Sequence, residues 1–157
     1  MNYDPTRTVE TIAGLLTAYA EAEGYGRLVR PGNRYDGLVG GIRRPDLVFV
    51  TCDRVPEAGE ATESPPDLVI NVITPTDLAG AMNLALMRWL DAGARNVWEL
   101  FPHRGSVIVR RSDRTGQCLK GNDLLTAPDI LPGFSVPVAA FFAGLSTAAP
   151  VPPPPVQ

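Results

Sequence analysis

Lysine is almost missing from this chain of 157 residues: Lys120 stands alone, and the other thirteen of its fourteen basic residues are arginine. Any chemistry that needs an amine therefore has one position to draw on. Histidine also occurs once, at His103, in a turn with no thiol nearby, so a nucleophilic triad lacks a well-placed base and a solvent-exposed loop residue is the simpler reading. Two cysteines, Cys52 and Cys118, lie far apart without paired-ligand spacing. That excludes a disulfide framework and fits reduced thiols in a cytoplasm. No apolar run approaches the ~20 residues needed to span a membrane. The opening residues, Met1 to Pro5, lack the basic-then-apolar pattern of a signal peptide. The glycines between 37 and 41 have neither the lysine nor the following helix of a phosphate-cradling loop.

What is present is the composition of one globular domain, 45% hydrophobic and 20% charged, long enough to bury a real core. A formal charge of −3 predicts no general attraction to phosphate backbones, so a nucleic-acid site has to be a local patch. The domain is expected over residues 1–145. From 146 to 157 the chain is alanine and proline, ending Val151-Pro-Pro-Pro-Pro-Val-Gln, which reads as a disordered or polyproline-like tail.

The centre of the sequence is Leu68 to Ile73, an apolar, β-branched run bounded by Pro66 and Pro75. It reads as a strand buried on both faces, with one polar residue, Asn71, in its middle. Residues 8–23 read as a helix stopped by Gly24, and 46–50 as a second buried strand, the antiparallel neighbour of the first. Any strand in 27–42 is short and irregular, with a hairpin around Pro31-Gly32-Asn33, and 51–66 form a surface loop. Residues 77–92 present a wide apolar face from Leu78 to Leu90, ended by Gly93, with Thr76 or Asp77 as its cap. Residues 96–101 and 106–111 make a hairpin, 112–121 a polar loop, 131–138 an extended segment and 139–145 a short closing helix. The fold class is mixed α/β: a central mixed sheet flanked by helices.

Three segments in order resemble a bacterial family, the Uma-type restriction-endonuclease-like branch of the PD-(D/E)XK nuclease superfamily. They are Arg44-Pro45-Asp46-Leu-Val-Phe-Val; Pro66-Asp67-Leu-Val-Ile-Asn71-Val-Ile-Thr-Pro75 with the helix to Trp89, Gly93 and Trp98; and Leu131-Pro132-Gly133-Phe134 through Phe141. Together they span residues 43–142. The resemblance implies a restriction-endonuclease-like core whose relatives hydrolyse DNA phosphodiesters with carboxylate-held Mg²⁺, assisted by a lysine. Asp46 matches the first metal-binding aspartate. Asn71 stands where the family pattern has glutamate, and Ala85 falls at or near the lysine position, with Arg88 the nearest cation one turn on. The strands with an additional acid that such families carry early in the chain are shortened ahead of Thr8.

Each of these positions also has an ordinary structural reading. Asp46 can begin a strand and accept nearby amide protons, Asn71 can be a buried amide satisfied by backbone groups, and Asp77 a helix cap. Arg104, Arg110 and Arg111, with Arg114, cluster on one hairpin, as phosphate contacts or as the charges that guard an edge strand. With two of the three catalytic groups replaced, the expectation is a nuclease fold with lost or weakened catalysis, a pseudoenzyme that acts as a binding or structural module. No cofactor is expected, or Mg²⁺/Mn²⁺ held weakly by Asp46. Partners are a second copy of the chain or another protein, with weak DNA contact and no membrane. The alternative is a metal-dependent DNA endonuclease.

Overall fold

Every residue of Leu68–Val72 is buried, and the rest of the chain is arranged around that strand. The computed structural model describes residues 5–31, 35, 44–51, 65–77 and 79–142. In chain order these form α1 (Pro5–Glu23), β1 (Gly26–Val29), β2 (Leu47–Thr51), β3 (Leu68–Val72), α2 (Ala79–Ala92), β4 (Asn96–Phe101), β5 (Ser106–Arg111), β6 (Gly116–Lys120), β7 (Leu124–Ala127) and β8 (Leu131–Pro137). A 3₁₀ turn, Val138–Phe142, follows. Six strands make one sheet in the order β1-β2-β3-β4-β5-β6, and β7 and β8 pair separately. β2 and β3 are antiparallel, as expected, whereas β3 and β4 are parallel, because α2 carries the chain back across the sheet between them.

Side chains alternate across the strands, so the sheet has two faces to cover. On one, Val9, Ile12, Leu16 and Ala20 of α1 pack on Leu68, Ile70, Val72, Trp98 and Leu100, and Phe134 and Phe141 close the edge. Trp98 stacks on Phe134 with ring centroids 6.1 Å apart. On the other, Leu86, Trp89 and Leu90 of α2 pack on Val48, Val69 and Val97. Each large apolar side chain so removed from water contributes about 1.5–3 kcal/mol. A strand covered by a helix on each side has no solvent face, which is why β3 is apolar at every position but Asn71.

Gly24, at φ 75°, ends α1 as its sequence indicates. Gly133 has a sharper constraint: φ is 83°, and a Cβ there would come within 2.9 Å of the Tyr19 hydroxyl, which donates to the Pro132 carbonyl. One expectation changes. Residues 112–121 are not simply a polar loop, since they contain β6, an edge strand exposed except at Leu119. Its formation depends on backbone bonds to β5 rather than on burial, so it leaves no apolar pattern. β7 likewise forms because β8 pairs with it. The Asp77 carboxylate accepts from Thr74 N at 2.8 Å, three residues upstream. The hairpin around residue 32, most of the 51–66 loop and the tail from 146 lie outside the described residues, and no described helix is long and apolar enough to cross a membrane.

Candidate functional site

Asn71 of β3 lies in register with Glu99 of β4, and by strand alternation both belong to the face that α2 covers, with neighbouring strands about 4.8 Å apart. Asp46 immediately precedes β2, and its N–H donates to Ile70 O at 3.0 Å. Asn71 is 2% exposed and Glu99 7% exposed.

Their bonding differs. Asp46 Oδ2 accepts from Val72 N at 2.7 Å, so this acid does tie two strands together, as its ordinary reading proposed. Asn71 departs from the expected satisfied amide: its Oδ1 is buried and has no hydrogen-bond partner among the described residues. Glu99 lies 3.5 Å from Nε of Arg110 on β5. Burial pushes the Glu99 carboxyl above the usual carboxylate range, with the Arg110 guanidinium pulling the other way.

A cavity of about 380 Å³ opens beside Glu99. Its walls are the 73–77 turn, the first turns of α2, and the β4–β5 hairpin. Glu99 and Arg110 line it, together with Phe101, His103 and Arg104. His103, expected to be solvent-exposed, is instead half-buried, with its ring edge-on to Phe101 at 6.1 Å. Arg104 sits over the same Phe101 ring, 5.9 Å from its centroid. The arginine cluster divides: Arg104 and Arg110 face the cavity, Arg111 alternates to the opposite side of the sheet, and Arg114 pairs with Asp91 at the end of α2. Ala85 is fully buried and is not part of the cavity wall, to which α2 contributes Met82, Asn83 and Leu86. Asp67 is remote, at the opposite end of β3, 3.8 Å from Arg95.

Glu99 was not legible as part of a site in advance, whereas its partner Arg110 was among the candidate phosphate contacts. The available signal was one acid in the otherwise apolar segment Val97-Trp98-Glu99-Leu100, parallel to Asn71 in β3. A divalent ion of the kind the resemblance implies needs hard, preferably charged oxygens. The three positions carried over from the family supply one carboxylate, one neutral amide and one methyl group, and do not fit Mg²⁺. Among the described residues, no group of three or more His, Cys, Asp or Glu could hold a metal ion.

Comparison with curated proteins finds no match. Among solved structures, the fold is similar to the crystal structure of a "putative nuclease belonging to DUF820" from Anabaena variabilis, with a TM-score of 0.73 and 16% identity over 92% of this chain and 84% of that one. At that identity the likeness concerns the fold. The family model described as "Uma2: Putative restriction endonuclease" matches residues 4–139, reaching well ahead of the segments that carry the sequence resemblance. With most of its length covered, the chain belongs to the Uma2 restriction-endonuclease-like family.

Proposed function

We propose that this chain is a restriction-endonuclease-like module in which metal-dependent phosphodiester hydrolysis is lost or strongly weakened, and which acts by binding. The observation that carries this reading is Asn71: a neutral amide with an orphaned oxygen stands mid-strand where the family has a metal-binding glutamate. Replacing a carboxylate by an amide keeps one oxygen and removes the charge that a hard cation prefers. Ala85 supplies no amine, and Lys120 is exposed on β6, the sheet edge beyond β5. Without a held cation there is nothing to polarise a phosphate or lower the pKa of an attacking water.

The experiment is plasmid nicking by the purified full-length protein with Mg²⁺ or Mn²⁺. No nicking above a buffer control is the expected result; metal-dependent nicking that disappears in Asp46→Asn would overturn the reading. One observation favours the alternative, a metal-dependent endonuclease. Glu99 is in register with Asn71, and the Asp46 carboxylate accepts from the N–H of Val72, the residue after Asn71, so two carboxylates lie near that position. The same nicking assay with Glu99→Gln decides between them, since a relocated ligand would make that variant silent where the wild type cuts. Self-association through a sheet edge and residence in a bacterial cytoplasm belong to the same proposal.

A further inference from the structure

Arg110 is positioned by its neighbours on two other strands. Its Nε is buried and faces the Glu99 carboxylate at 3.5 Å. Across β5 and β6 it is in register with Gly116, and a Cβ at that position would lie 3.0 Å from Nη1 and 3.4 Å from Cδ. Glycine at 116 therefore leaves the space in which the guanidinium lies. The contact with Glu99 is made through one of the five N–H donors of the fork. The Arg110 side chain remains 37% exposed and lines the cavity. Arg104 lines the same cavity from the hairpin turn, over the Phe101 ring. Asp77, the other acid on the wall, is turned to the Thr74 N–H and lies 3.3 Å from the Thr74 hydroxyl.

In a metal-dependent nuclease the divalent ion sits between acidic side chains and the phosphate oxygens. Here a covalently tethered cation lies beside the acid. We propose that Arg110 stands in for that ion, and that with Arg104 it makes the cavity a metal-independent binding site for a phosphate group, carried either by free phosphate or by a nucleic-acid strand. The inference rests on the reading that the metal centre has been dismantled. A guanidinium is charged at any working pH and matches two phosphate oxygens with parallel N–H bonds. Being part of the chain, it needs no pair of carboxylates to retain it, which removes the demand for glutamate at position 71. Glu99 then acts as the counter-charge that positions the buried nitrogen, leaving the terminal ones for the ligand.

The test is titration of the full-length protein in EDTA, once with inorganic phosphate and once with a 5′-phosphorylated thymidine dinucleotide, followed by calorimetry. Saturable binding of at least one probe is expected. Binding of phosphate alone identifies the free anion as sufficient; binding of the dinucleotide only identifies the strand as the source. Arg110→Gln should weaken binding about tenfold or more. Arg111→Gln, which loses the same charge from the same strand on the opposite face, should leave it unchanged. Glu99→Gln should retain or strengthen binding, because it releases the guanidinium, whereas a metal-bridged site would lose affinity. If Arg110→Gln does not fold, Arg104→Gln and Gly116→Val, which displaces the guanidinium, read the same loss. Three results overturn the proposal: neither probe binding at millimolar concentration, binding that appears only with Mn²⁺, or equal losses in Arg110→Gln and Arg111→Gln. Failure of both probes to bind overturns this inference alone, while metal-dependent nicking overturns the functional reading beneath it.

Discussion

Asn71 and Glu99 are register partners on adjacent strands, yet they carry opposite electrostatic problems. Asn71 holds a buried acceptor that finds no donor among the described residues, a cost of about 1–3 kcal/mol. Glu99 holds a buried carboxylate whose ionised form is disfavoured by desolvation more than Arg110 favours it. Its folded-state pKa therefore lies above its unfolded value. Stability from this group is fully present below the unfolded pKa and is lost as pH rises through the folded one. Glu99→Gln should accordingly match the wild type in thermal melts at about pH 4 and below, and exceed it at neutral pH. A variant that melts lower than the wild type at neutral pH would mean that the Arg110 pairing dominates instead. Asn71 was visible in the sequence as the one polar residue of an apolar run. Glu99 was not, because one acid in a strand carries no sign of which strand it will lie beside.

At the scale of elements, the β2–β3 pair depends on a side chain as well as on its ladder. Asp46 gives its amide proton to Ile70 O and takes the Val72 N–H on its carboxylate, extending the pairing past the regular strand. Val72 is 3% exposed, so its N–H has little water to turn to. Asp46→Ala should therefore cost about 1–3 kcal/mol in urea unfolding while leaving phosphate binding in EDTA intact. Loss of binding without loss of stability would instead assign Asp46 a ligand role. The elements with a buried face were legible: β3, α1 and the apolar face of α2 all follow from periodicity. β6 and β7 were not, since they depend on pairing with β5 and β8, and backbone hydrogen bonding leaves little mark on side-chain choice. Gly116 illustrates the limit: in sequence it ends a turn, whereas in the sheet it is the space beside Arg110.

At the scale of the molecule, two helices pack on opposite faces of one sheet and cover its apolar side chains. Addition of millimolar MnCl₂ should shift Tm by less than about 1 °C, whereas a carboxylate centre saturated at about a hundred times its Kd would add about 2.7 kcal/mol and several degrees. A large Mn²⁺-dependent rise, absent in Glu99→Gln, would show that the two acids beside Asn71 do hold a cation. Local chemistry along the chain was enough to establish the α/β class, the central buried strand and the family, because each depends on residue type and short-range period. Tertiary structure alone decided that Glu99 stands beside Asn71, that Arg110 rather than Arg111 faces the cavity, and that His103 is half-buried in its wall. Those facts depend on strand order and register, which are set by how non-local segments pack, and no window of sequence contains them.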